Sequence, residues 1–190
     1  MSIELRETPI DRSLLKPWSS GAKILKDFID VTNYIYRGDP SWVTPLELDM
    51  KMRLTPKNPF FEHADGTLLV AYRNGKPVGR CSAQIDREHL GRYNDDAGFF
   101  GFLDTVDDQE VASALIARAG DWVKARGMKT LRGPMSFNIN EEVGCLVEGF
   151  ETSPMVLMPH HRAYQGGLIE GAGLSKLKDL FAWRYATGEV

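Results

Sequence analysis

The sequence predicts an α/β domain with a mixed central sheet, in which an antiparallel hairpin and a central strand precede a parallel crossover, flanked by helices. Three observations predict it. Two stretches of period-two apolar residues meet at Asn74-Gly75, the strongest short hairpin signal. Ala97 to Leu103 is apolar on both faces, which suits a strand covered on both sides. An amphipathic run between Asp107 and Gly127 then leads into a short strand, Lys129 to Arg132, and strand, helix, strand in so few residues implies a parallel return.

Taken in order, the N-terminal third holds six of the ten prolines and reads as helices and extended pieces joined by rigid turns. Ile24, Phe28, Val31 and Ile35 recur at helical spacing between Ala22 and Tyr36, and Gly38-Asp39-Pro40 stops that helix. The aromatic segment from Trp42 to Phe61 is broken by turn residues and reads as an ordered lid, either core packing or a ligand wall. In the hairpin, Leu68 to Arg73 pairs with Val78 to Asp86. There Gly79, Cys81, Ala83 and Ile85 share one face and Arg80, Ser82, Gln84 and Asp86 the other, which makes Cys81 a small core residue. Phe100 and Phe102 belong to the buried strand. Asp107 with Glu110 predicts a capped helix start, Gly127 a stop near Arg126, and Val111, Leu115, Ala119 and Trp122 the inward stripe. A polar loop from Ser136 to Gly144, an apolar strand Met155 to Met158, a helix from about Arg162 to Ala172 and a last strand Leu177 to Tyr185 complete the chain.

Composition narrows the function classes. The 190 residues are 43% hydrophobic and 26% charged, ordinary for a globular domain and enough to bury roughly 70% of the unfolded surface in one core. Twenty-three basic against 26 acidic residues, with no block of either sign, argue against nucleic-acid binding. Cys81 and Cys145 form no C-x-x-C pair, and the charged start lacks a signal peptide's apolar core, so a cytoplasmic protein with reduced thiols is expected. Contact with a lipid surface stays open.

Several local sequences are more specific: Tyr36-Arg37-Gly38-Asp39-Pro40-Ser41-Trp42-Val43, Asn58-Pro59-Phe60-Phe61-Glu62-His63-Ala64, Gly98-Phe99-Phe100-Gly101-Phe102, Arg132-Gly133-Pro134, Asn138-Ile139-Asn140-Glu141-Glu142-Val143-Gly144 and Lys178-Asp179-Leu180-Phe181-Ala182-Trp183. With the element order, they resemble a bacterial GNAT-like acyltransferase family that includes bacterial ceramide synthases, over nearly the whole chain. The resemblance implies one GNAT-like domain over residues 1–190, the N-terminal half of a longer two-half protein. It implies an acyl-CoA co-substrate and a small-molecule or lipid amine acceptor, such as a long-chain sphingoid base. Phe102 and Leu103 would then lie along the acyl-CoA. Tyr164 falls where many GNAT folds carry the tyrosine that protonates the leaving thiolate.

Some relatives carry the label dATP pyrophosphohydrolase. Glu141-Glu142-Val143-Gly144 supplies the end of a Nudix helix, but Phe137 and Asn138 stand where its Arg-Glu pair belongs, so no metal site is expected. The GNAT diphosphate loop is also missing. In its place is Asp104 to Glu110, with no glycine and four carboxylates that would repel a diphosphate. This favours a rival reading, a non-catalytic half-domain shaping a channel or interface.

Candidate site residues cluster in the polar loop. Glu141 or Glu142 could accept the ammonium proton while Asn138 or Asn140 orients the amine or the thioester oxygen, and a plain turn with both glutamates in water is the alternative. The geometry of the element order places the inward glutamate and Tyr164 at one cleft. His160 and His161 lead into the last helix and could cap it, move a proton or face water, with His161 carried as a catalytic candidate. Cys145, in apolar company, reads as packing.

Overall fold

Strands β1 (Glu4–Pro9), β2 (Ala64–Arg73), β3 (Lys76–Asp86), β4 (Ala97–Thr105) and β5 (Thr130–Arg132) lie side by side in that order in one sheet. The computed structural model describes residues 2–183, 185 and 188. Three pairings are antiparallel, and β4 with β5 is parallel. Asn74 and Gly75 have φ of 54° and 73°, the doubly left-handed turn whose twist matches the strands it joins. The parallel return from β4 to β5 passes through α4 (Gln109–Lys124).

Period-two alternation sends the two faces of the sheet to two helices. Leu68 and Val70 pack with Phe28 of α1 (Ser20–Ile35), while Leu69, Ala71, Cys81 and Phe100 pack with Leu115 and Trp122 of α4. Each such fully buried side chain contributes about 1.5–3 kcal/mol before entropy is subtracted. Ser19 opens α1, its Oγ accepting the Ala22 N–H at 3.0 Å. The expected interior places of Cys81, Phe100 and Phe102 hold, at 0%, 1% and 4% exposure.

The lid segment contains α2 (Glu47–Arg53) and a 3₁₀ turn at Pro59–Glu62. Met50, Leu54 and Phe60 enter the α1-side core, while Val43, Leu46, Leu48 and Met52 are more than half exposed, so only part of the segment is packing. After β5 the polar stretch forms a small hairpin of β6 (Met135–Ser136) and β7 (Glu142–Val143), and the last helix is α5 (Gln165–Gly171).

Several expectations are corrected. The edge strand β1 and the helix α3 (Arg87–Tyr93) were not read from the sequence. Asp107 does not cap α4. Asp108 does, its Oδ1 accepting from Glu110 N at 3.0 Å and Val111 N at 3.4 Å, and the helix ends at Lys124 rather than Arg126. Met155 to Met158 is a turn rather than a strand, with Val156 91% exposed and the Met158 N–H donating back to the Met155 carbonyl at 3.0 Å, and among the described residues no strand pairs with it. Leu177 to Trp183 forms no strand and is exposed, and Arg184, within the strand expected to reach Tyr185, lies outside the described residues.

Candidate active site

The site begins where β4 stops being regular. Arg80 pairs with Asp104 and Ser82 with Gly101, so Phe102 and Leu103 together oppose the single residue Cys81. This is a β-bulge, with Phe102 at φ 46°. Chain from the β6–β7 hairpin crosses the strand at this point. A Cβ on Gly101 would overlap the Met135 backbone, which explains a glycine in mid-strand. Gln84 Nε2 donates to the Met135 carbonyl at 2.6 Å, and Ser136 Oγ accepts the Phe102 N–H at 3.0 Å.

Arg53 at the end of α2 clamps the same hairpin. Its Nη2 is 2.9 Å from Glu141 Oε2, its Nη1 2.7 Å from Glu142 Oε1, and Nη2 also donates to the Ser136 carbonyl at 3.2 Å. Burial would lower the guanidinium's affinity for its proton, and Glu142 and Glu141 outweigh that and raise it. Asn138 Nδ2 donates to Glu141 Oε1 at 3.0 Å, and its Oδ1 accepts the Asn140 N–H at 2.8 Å, a local turn that leaves Asn140 exposed. Both glutamates are therefore held by a cation rather than left in water.

Between the bulge and the segment before α5 lies a cavity of about 40 Å³, lined by Trp42, Arg80, Phe102, Leu103, Asp104, Pro134, Ser136, Glu142, Gly144, Pro159, His160 and His161. A cavity of that size takes a water or two or a small polar head, since one water needs roughly 10–15 Å³. The sequence candidates Glu142, His161, Phe102 and Leu103 meet on its wall. Glu141, Asn138, Asn140 and Tyr164 are not among the lining residues. The Tyr164 hydroxyl donates to the Thr105 carbonyl at 2.8 Å, and burial pushes it up to about 12. Burial also pushes the Cys145 thiol up to about 12, which leaves it a poor nucleophile.

Charged groups behind the wall form one network. The Arg80 guanidinium, 5% exposed, is 2.8 Å from Asp104 Oδ2 and donates to the Phe28 carbonyl at 3.2 Å. The Tyr36 hydroxyl points at Asp104 Oδ1 and lies 2.9 Å from the His160 carbonyl. Burial, then the Asp104 charge, raises Tyr36 well above its ordinary value, so it stays a donor. Tyr36 stacks on Trp42 with ring centres 4.0 Å apart. Asp39, in the turn after α1, approaches His160 Nε2 at 3.0 Å and Arg162 Nη1 at 3.3 Å. Burial works to raise the Asp39 carboxyl, and hydrogen bonds from His160 and the Ser41 N–H outweigh it and hold it below the usual carboxylate value.

The two histidines are held differently. His161 Nδ1 accepts the Leu146 N–H at 3.1 Å, so a neutral ring carries its proton on Nε2, and burial lowers its pKa. Arg53, Arg80, Asp104, Asp39 and Trp42 were not named as site residues from sequence. Asp39 and Trp42 sat inside a quoted motif, but nothing local says that a turn residue will meet a histidine 121 positions on.

At the start of α4, Asp108 occupies the amides that a diphosphate would need, although Asp104, Asp108 and Glu110 are each paired with an arginine. The repulsion expected from four bare carboxylates is thereby reduced.

No family model matches the chain. It is 45% identical over 172 residues to the bacterial ceramide synthase of Caulobacter vibrioides (strain NA1000 / CB15N), covering 87% of this chain and 44% of that protein. It is 42% identical over 159 residues to Protein YghO of Escherichia coli (strain K12), covering 84% of this chain and 41% of that one. The chain thus spans less than half the length of these curated relatives. Among solved structures, the aminoglycoside acetyltransferase meta-AAC0020 from an uncultured soil metagenomic sample, in complex with trehalose, superposes with a TM-score of 0.55 at 10% identity, over 97% of this chain and 95% of that one. AAC(6')-Iy in complex with the bisubstrate analog CoA-S-monomethyl-acetylneamine gives 0.50 at 12% identity, over 98% and 99%. Identities this low carry the fold alone.

Proposed function

We infer that this chain, which belongs to the GNAT-like acyltransferase family, supplies the acyl-transfer site of an N-acyltransferase that moves an acyl group from a thioester to a primary amine. The observation that carries this reading is the β4 bulge beside a small cavity lined by titratable groups. In such a site Phe102 and Leu103 border the thioester, and the Nε2–H of a neutral His161 is a donor for the oxyanion or the leaving thiolate. Glu142, held in place by its ion pair with Arg53, puts a hydrogen-bond acceptor on the cavity wall for the amine. Asn138, Asn140, Glu141 and Tyr164 have their polar groups spent on local structure or in water and support the site from outside the cavity. A long-chain sphingoid base is the acceptor favoured by the 45% identity to a bacterial ceramide synthase, with acyl-CoA as donor. A cavity of this size receives only the amine head, so a long chain would lie across the exposed apolar surface or the remainder of a longer protein.

One observation favours a second reading. With the α4 amides already capped by Asp108, the chain is poorly prepared to hold a diphosphate alone, as expected of a non-catalytic half that shapes a channel. A longer protein carrying this sequence, incubated with a long-chain acyl-CoA and a sphingoid base, is expected to form the amide. Calorimetry on the isolated chain then separates the readings: acyl-CoA binding to it supports an acyl-transfer site in this chain. Amide formation by the longer protein, with no binding here, supports the scaffold.

A further inference from the structure

We propose that Asp39 and His160 form a proton-accepting dyad: His160 Nδ1 takes the proton of the acceptor amine, and Asp39 holds the ring in the tautomer that leaves this nitrogen bare. The proposal rests on the acyl-transfer reading above and assigns its base. Asp39 Oδ1 accepts the Ser41 N–H at 3.0 Å, and its Oδ2 faces His160 Nε2 at 3.0 Å with Arg162 Nη1 at 3.3 Å. A carboxylate so placed only accepts, so Nε2 must donate, and a neutral imidazole with its proton on Nε2 has its lone pair on Nδ1.

That Nδ1 is buried, on a side chain 1% exposed, and has no hydrogen-bond partner among the described residues. The indole Nε1 of Trp42 is a second buried polar atom without a partner, and both residues line the same cavity. Unpartnered buried polar atoms are rare in folded proteins, and an acceptor and a donor on two residues that line one cavity suit a ligand with a proton to give and an oxygen to receive. The charged groups on the wall are Asp104, Glu142 and Arg80, and with Arg80 on Asp104 and Arg53 on Glu142 each carboxylate already has its cation, so it is the bare Nδ1 that points to an amine. His161 does not fill the role, because its Nδ1 lone pair is taken by Leu146.

In the step assigned, the ammonium gives one proton to His160 Nδ1 and becomes a free amine. Its nitrogen bonds to the thioester carbonyl carbon, the carbon–sulfur bond breaks, and the thiolate leaves with the nitrogen's second excess proton. The products are the amide, the free thiol and a protonated His160, which returns its proton to solvent. Asp39 is a positioning residue that also stabilises the imidazolium.

The test uses a longer protein carrying this sequence, an acyl-CoA, and two acceptors of equal chain length: a primary alkylamine, protonated at neutral pH, and a hydrazide, already unprotonated there. His160→Gln is expected to lower turnover on the amine by about 10² to 10⁴, the usual worth of a general base, and turnover on the hydrazide by less than about tenfold. Asp39→Asn is expected to show the same selectivity with a smaller loss, and it carries the comparison if His160→Gln fails to fold by circular dichroism. Equal losses on both acceptors would mean a structural role and overturn the dyad while leaving the acyl-transfer reading in place, as would unchanged rates on the amine. No amide from the unaltered protein with either acceptor would overturn the acyl-transfer reading and the dyad with it.

Discussion

At the scale of single residues, His161 links the site to stability. Burial depresses its pKa, so the folded ring stays neutral while the unfolded ring still takes a proton near its ordinary value of 6.5. The unfolded state then binds more protons, and stability falls as pH drops through 6.5 toward the folded pKa, by at most about 1.4 kcal/mol per pH unit. Replacing His161 by Asn should flatten that limb in denaturant titrations at pH 7.5 and 5.5, and an unchanged slope would place the pH dependence elsewhere. The Asp39 pKa is lowered too, but by hydrogen bonds that favour its charged form, and its contribution is lost only as pH falls below its ordinary carboxylate value of 3.8, a separate window. The α4 cap gives a second test. Asp108→Ala should cost about 1 kcal/mol in chemical denaturation and Asp107→Ala almost nothing; the reverse order would restore the cap that the spacing to Glu110 suggested. Turn chemistry at Asn74-Gly75 was legible because it is encoded in two adjacent residues. Arg80 and Asp104 were not, because each becomes a site residue only through a partner 24 positions away.

Elements with strong periodicity were legible for the same local reason: α1, α4, β2, β3 and β4 each carry their inward face in their own spacing. What spacing could not say was that the polar face of β3 is also interior. Arg80, Ser82 and Gln84 are 5%, 0% and 0% exposed because α1 and the β6–β7 hairpin cover that side and supply the Phe28 and Met135 carbonyls, while neighbouring β4 supplies the Asp104 carboxylate. β1 escaped because an edge strand half in water shows little alternation, and Glu4, Arg6 and Glu7 read as polar sequence. The hairpin that covers the bulge is anchored by Phe137, 1% exposed among Phe60, Phe61 and Phe102, and its glutamates are held by Arg53. Arg53→Ala leaves Glu141 and Glu142 without their cation. It should destabilise by about 1–2 kcal/mol and speed amide exchange across residues 135–143. Unchanged exchange there would mean that Gln84 and Ser136 suffice to hold the crossing.

For the whole molecule, the family was legible in short motifs and the element order, while the partners of the surface were not. Val147, Met155, Val156, Leu177, Phe181 and Trp183, all from the last quarter of the chain, are between 68% and 91% exposed. The curated relatives are more than twice as long as the region they share with this chain, so the rest of such a protein is one candidate to cover them. The division of labour within a longer protein is therefore the central question. It is answered most directly by hydrogen exchange read by mass spectrometry on a longer protein carrying this sequence, with and without a long-chain acyl-CoA. If the bulge and cavity of this chain hold the thioester, acyl-CoA should slow exchange in residues 135–146 and 159–162, two segments that line the cavity with Phe102 and Leu103. Slowing confined to residues outside this chain, with 135–146 and 159–162 unchanged, would contradict an acyl-transfer site here and leave this domain as scaffold.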